Sequence, residues 1–195
     1  MRLFIALDLH ESIRENVSTF VNSVKGFAPG ARWARPESLH VTLKFIGQMP
    51  EDQVPQLQHI LTELRAKAFE IHVREYGFFP TAKAARVFWI GIHAGAQLAA
   101  LAHDIDARTS ALGIPREEHS FNPHLTIARR SGGSGSRRAN REDGPSPTFR
   151  LLAEKLVAMG PLDFGSMAVR RFFLYQSKLS PTGSRYSELC EFPLT

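Results

Sequence analysis

Two stretches of this chain repeat each other 84 residues apart, and the repeat constrains the fold more than any single motif. Arg2 and Arg86, Phe4 and Phe88, His40 and His124, and Thr42 and Thr126 all stand at that offset. The expected elements recur in the same order, strand, helix, strand, helix, strand. A buried strand over 2–8 precedes a helix marked by Ile13, Val17, Phe20, Val21 and Val24, which Gly26 and Pro29-Gly30 end. A strand over 39–46 follows, then a helix after Pro50 with Val54, Leu57, Ile60, Leu61 and Leu64 on one face, and a strand over 69–79 with irregular alternation. The second half runs through a strand at 86–90, a helix marked by Leu98, Leu101, Ile105 and Leu112, a strand at 124–128 and a helix near 149–159. One strand over 167–177, a turn at Pro181-Thr182-Gly183 and a last strand near 185–191 complete the chain. A repeat this long predicts two similar lobes rather than a solenoid.

Composition narrows the class. The 195 residues are 43% hydrophobic and 22% charged, which suits a globular protein and neither a disordered nor a membrane-spanning one. A single cysteine, Cys190, excludes an intrachain disulfide framework and a multi-cysteine zinc site, and points to a reducing compartment. The N-terminus reaches Asp8 too early for the apolar core of a signal peptide, so a soluble, cytoplasmic protein is expected. The formal charge of +5 is compatible with an anionic partner, and its placement is uneven. Residues 129–150 hold six arginines against Glu142 and Asp143, and the rest of the chain is close to balanced. Within that segment, 130–148 reads as a flexible Gly/Ser/Arg-rich loop, too poor in apolar residues to order itself.

The chemistry concentrates in the two His-x-Thr strands. Residues two apart on a strand share a face. With Leu39, Val41 and Leu43 turned to the core, His40, Thr42 and Lys44 fall on the opposite face; Leu125 and Ile127 likewise leave His124 and Thr126 together. Two such strands related by a pseudo-twofold would gather two imidazoles and two hydroxyls around one point. That set suits a phosphodiester: one neutral imidazole takes a proton from water and a protonated one gives a proton to the leaving oxygen. Threonine hydroxyls can donate to the non-bridging oxygens as charge builds. No metal or other cofactor is called for. His119 and His124, with Glu117 and Glu118 nearby, lack the helical spacing of a zinc site, and Pro123 interrupts any helix there.

Strict alternation has further consequences. Phe45 should face the core, Lys44 has the parity of the histidine face but equally suits a solvated charge and is not counted in the site, and Trp33 and Trp89 read as core. Arg129 should face away from His124, and it reaches the site only if the strand bulges near Ala128.

Together these residues resemble the RNA 2′,3′-cyclic phosphodiesterases, also called 2′-5′ RNA ligases, of the two-histidine phosphoesterase superfamily. The resemblance is carried by Arg2-Leu3-Phe4-Ile5-Ala6-Leu7-Asp8, by Ala31-Arg32-Trp33 with Pro36 to Gly47, by Phe121-Asn122-Pro123-His124-Leu125-Thr126-Ile127-Ala128-Arg129, and by the closing Tyr175, Ser177, Leu179, Pro181, Gly183, Tyr186, Leu189 and Phe192-Pro193-Leu194. It implies an α+β fold in which two pseudo-symmetric lobes, each an antiparallel sheet with flanking helices, surround a central cleft. One domain over 1–195, built of two interleaved lobes, is expected.

It also implies hydrolysis of a 2′,3′-cyclic phosphate on RNA or nucleotides to a 2′-phosphomonoester. By carry-over His40 is the general acid and His124 the general base, while Thr42, Thr126 and Arg129 bind the phosphate. The expected partner is RNA ending in a cyclic phosphate, with no membrane, and a monomer is expected. Two alternatives stand beside this: ATP-independent 2′-5′ joining of RNA ends or another activity of the superfamily, and a non-catalytic RNA-binding module.

Overall fold

The computed structural model describes residues 1–131, 147–180 and 183–195. Most of the loop expected over 130–148, and Pro181-Thr182 of the expected turn, lie outside the described residues. The strands are β1 (Arg2–Leu7), β2 (Ala31–Trp33), β3 (Val41–Gln48), β4 (Phe69–Phe79), β5 (Val87–Ala94), β6 (His124–Arg130), β7 (Asp163–Val169), β8 (Arg171–Ser180) and β9 (Gly183–Pro193). The α-helices are α1 (Glu11–Val24), α2 (Val54–Thr62), α3 (Ala96–Ser110) and α4 (Arg150–Met159).

Each helix forms where apolar residues recur at helical spacing, and it buries that stripe against the sheet. In α1 the stripe is Ile13, Val17, Phe20 and Val24; in α3 it is Leu98, Leu101, Ala102, Ile105 and Thr109. Leu57 and Leu61 of α2 and Leu152 and Leu156 of α4 are buried in the same way.

Among the described residues all strand pairs are antiparallel, in the order β7-β4-β5-β6-β3-β1-β8-β9, with β2 pairing β6 at Ala128–Arg130, on the same flank as β3. Sequence order and spatial order differ in one telling way. The strand that ends the first half, β4, pairs with β5 of the second half, while β8 of the second half returns to pair with β1. The inward face packs Leu3, Ile5, Leu7, Phe88, Ile90, Leu125 and Ile127 into the core under the helices.

Two expectations give way here. The single strand over 167–177 is two strands that part at Arg170: β7 pairs with β4, whereas β8 pairs with β1, so consecutive residues serve opposite lobes. Apolar residues run on through the corner, with Val169 and Phe172 both buried, and nothing in the local pattern marks the break. The match of Phe4 with Phe88 is also one of spelling only. Ala6 pairs with Thr42 but Trp89, not Ile90, pairs with Thr126, so β1 and β5 correspond at an offset one residue shorter. Phe88 therefore sits in the core against Phe20, Trp33, Tyr76 and Phe78, and Phe4 lies on the opposite face against His40. The irregular alternation of β4 has a local cause, a bulge at Glu75, whose φ is 64°.

Candidate active site

The lobes meet where β3 pairs with β6 at Val41 and Leu125. One step either way along this antiparallel pair, His40 faces Thr126 and Thr42 faces His124. The two His-x-Thr motifs are thus brought together head to tail, each imidazole across from the other strand's hydroxyl. All four side chains are partly buried.

The imidazoles are held alike. Nδ1 of His40 lies 2.8 Å from the carbonyl oxygen of Ser38, and Nδ1 of His124 lies 2.7 Å from that of Asn122. A carbonyl only accepts, so Nδ1 carries the hydrogen in both rings. Nε2 is then the working nitrogen, an acceptor in the neutral ring and a donor in the protonated one.

Aromatic residues wall each histidine. The His40 ring is 4.8 Å from Phe4 and meets Tyr186 edge-on at 5.1 Å. His124 meets Phe79 edge-on at 5.1 Å and Trp89 at 6.3 Å. Trp89 reaches this position by lying across Gly77 of β4, where a Cβ would come within 2.1 Å of the indole. The expectation that Trp89 is a core residue is corrected: it pairs with Thr126 and belongs to the site face, whereas Trp33 packs inward on Phe88. Burial lowers the pKa of both histidines below the usual 6.5, and the Arg129 guanidinium lowers both further. The backbone carbonyls oppose this, as does Asp8 for His40, without reversing it.

Two bulges decide which residues join the histidine face. Along β6, Thr126 pairs with Trp89 and Ala128 with Phe88, so Ile127 is the extra residue; Ile127 and Ala128 are both buried, and Arg129 turns out to the side of His124 and Thr126. The bulge Arg129 requires is present. Along β3, Thr42 pairs with Ala6 and Lys44 with Ile5, so Leu43 is the extra residue. Parity flips there too, and both expectations that rested on it fail. Lys44 is buried, 2% exposed, with Nζ donating to Asp106 Oδ1 at 2.6 Å and to the Pro115 carbonyl at 2.7 Å, and Glu117 stands 3.2 Å away. Phe45 is 58% exposed on the histidine face, 6.3 Å from Phe4. Strict alternation carried no signal for this bulge, although the matching one near Ala128 was called for by Arg129.

Tyr175, stacked on Phe4 at 5.3 Å, completes the wall behind His40. Burial, with Asp8 and Glu188 nearby, pushes its phenol well above the ordinary range, so it stays protonated. Among the described residues no three or more His, Cys, Asp or Glu side chains gather in a way that could hold a metal ion. No helix among them is long and apolar enough to cross a membrane.

Paired His-x-Thr strands on an antiparallel sheet define the two-histidine class of phosphoesterase, and comparison with known proteins agrees. Residues 7–89 match the family model described as LigT like Phosphoesterase. The RNA 2′,3′-cyclic phosphodiesterase of Archaeoglobus fulgidus is 33% identical over 98% of this chain and 99% of its own. That of Methanothermobacter thermautotrophicus is 31% identical over 100% and 99%. A solved Thermus thermophilus structure superposes with a TM-score of 0.76 at 29% identity, covering 100% of this chain and 98% of that one. E. coli LigT complexed with phosphate superposes at 0.70 with 25% identity, covering 100% and 97%. The chain belongs to the RNA 2′,3′-cyclic phosphodiesterase family of LigT-like phosphoesterases.

Proposed function

We propose that this chain hydrolyses the 2′,3′-cyclic phosphate at the end of an RNA or nucleotide to a 2′-phosphomonoester, with His40 and His124 dividing the proton transfers. His124 Nε2 takes a proton from water as the water oxygen bonds to phosphorus. The bond from phosphorus to the 3′ oxygen breaks, and His40, protonated at Nε2, gives that oxygen its proton. Thr42 and Thr126 donate to the non-bridging oxygens, and Arg129 offsets the charge that gathers on them in the transition state.

One observation carries this reading. Two imidazoles on facing strands have identical Nδ1 anchors, so two matched Nε2 atoms are left for chemistry. Binding RNA without turnover needs no such pair. His40 must enter the reaction protonated although burial favours its neutral form, and a bound anionic phosphate restores the proton by favouring the imidazolium. The proposal extends to a monomer acting in the cytoplasm as one domain, and the lone free thiol of Cys190 supports a reducing compartment.

The test is product analysis. An oligonucleotide ending in a 2′,3′-cyclic phosphate is incubated with the protein in EDTA, beside His40→Ala and His124→Ala. A 2′-phosphate product and losses of about 10²–10⁴-fold in each variant are expected. Full activity in either variant would overturn the mechanism, and a 3′-phosphate product would reverse the leaving group.

A further inference from the structure

Arg32 on β2 stands directly across from Arg129 on β6. Residues opposite each other in an antiparallel pair extend to the same face of the sheet. Their neighbours show which face that is. Trp33 packs inward on Phe88, and its partner Ala128 is buried, so Arg32 and Arg129 both turn to the side that carries His124 and Thr126. Both are exposed. Among the described residues no carboxylate lies within ion-pair distance of either one, whereas nearby Arg35 is paired with Glu37 at 3.4 Å and donates to the Ser184 carbonyl at 3.1 Å.

Like charges set directly opposite each other weaken a strand pair. An anion seated between the two guanidiniums would remove that repulsion and gain charge-assisted hydrogen bonds from both. The order of groups says which anion. Arg129 lies within electrostatic reach of both imidazoles, and Arg32 is its partner across the β2–β6 pair. Arg32 stands level with Arg129, so the pair lies farther along β6 than the reacting centre, three residues beyond Thr126. In an RNA with a cyclic phosphate at the histidines, the next anion along the chain is the phosphodiester joining the terminal nucleotide to its 5′ neighbour.

We propose that Arg32, with Arg129, forms a subsite for the internucleotide phosphate on the 5′ side of the cyclic end, so that the site is built for an RNA chain in preference to a free cyclic nucleotide. This rests on the function proposed above.

The experiment compares two trinucleotides ending in a 2′,3′-cyclic phosphate, one with natural linkages and one with a neutral methylphosphonate at the last linkage. The wild type should prefer the natural substrate in kcat/KM by about tenfold, the scale of one charge-assisted contact. Arg32→Gln should erase most of that preference and Arg32→Lys keep part of it. A wild type indifferent to the methylphosphonate, or an Arg32→Gln variant with the full preference, would overturn the subsite. If Arg32→Gln fails to fold, the wild-type preference and its partial retention in Arg32→Lys carry the decision. Absence of turnover on either substrate would count against the function, and binding of the two oligonucleotides to His40→Ala would still read the subsite, by the same preference or its absence.

Discussion

Phe45 and Arg129 are counterparts: each stands three residues after its strand's threonine, just beyond a one-residue bulge, and each is turned by that bulge onto the histidine face. A regular strand cannot present His, Thr and the third residue beyond on one side, because the last has the wrong parity. The bulges are thus part of the site. They also break its symmetry, since one lobe offers an aromatic ring where the other offers a guanidinium. Two histidines held alike therefore meet different neighbours, and that difference is available to separate the acid from the base.

The parity flip at Leu43 has a direct energetic consequence. Phe45→Ala removes an exposed ring and should change stability by no more than about 0.5 kcal/mol. Phe88→Ala, emptying a fully buried position, should cost about 3–5 kcal/mol. Urea unfolding of both variants measures the contrast, and equal losses would place Phe45 in the core after all.

Burial sets the pH behaviour, and Arg129 adds to it. Both histidines titrate below 6.5 in the free protein. The rate rises with pH as the base loses its proton and falls as the acid loses its own, so both inflections of kcat/KM should lie on the acid side of 6.5. Arg129→Gln removes a cation that disfavours imidazolium at both rings. Both inflections should then move to higher pH while the maximum rate falls. A profile of kcat/KM against pH for the two proteins decides it, and unmoved inflections would remove Arg129 from the site.

Lys44 ties the two histidine strands through their approaches. It lies on β3 and holds the Pro115 carbonyl and Asp106, next to the segment that leads into β6. Lys44→Met leaves Asp106, 15% exposed, with the Glu117 N–H and the Arg116 charge but without the lysine, and should destabilise the fold by about 1–3 kcal/mol. Adding Asp106→Asn should recover part of that loss, and a double-mutant cycle in denaturant measures the coupling.

Gly77 leaves the room that lets Trp89 stand beside His124. A methyl group at residue 77 would strike the indole at 2.1 Å. Gly77→Ala should therefore cost about 1–3 kcal/mol of stability and lower kcat as Trp89 is displaced. Denaturant unfolding and steady-state kinetics read the two effects. A variant with wild-type stability would show that the indole has somewhere else to go.

Periodicity was enough to read most of the elements and both His-x-Thr faces, because Leu39, Val41, Leu125 and Ile127 alternate cleanly up to the point where the chemistry sits. It fails at bulges, where one added residue inverts everything downstream. Arg129 exposed such a failure because a functional expectation conflicted with parity. Lys44 and Phe45 raised no conflict, since a lysine outside and a phenylalanine inside look ordinary. The corner at Arg170 was hidden for a different reason. Both strands that meet there bury their apolar residues, and only their partners, β4 for one and β1 for the other, tell them apart. Pairing of that kind is a property of the whole chain and leaves no local trace.

The exchange of strands between halves bears on how the molecule is made. Leu3 takes its place beside Gln176, a residue synthesised long after it. Until then a ribosome holds a chain whose first strand has β3 on one flank and an unpaired edge on the other, while β4 waits for β5 and then β7. Open edges of this kind invite pairing with other chains. Contacts so distant in sequence also slow folding. Neither lobe can close while its last strand is still inside the translation machinery, so the site should mature late and all at once.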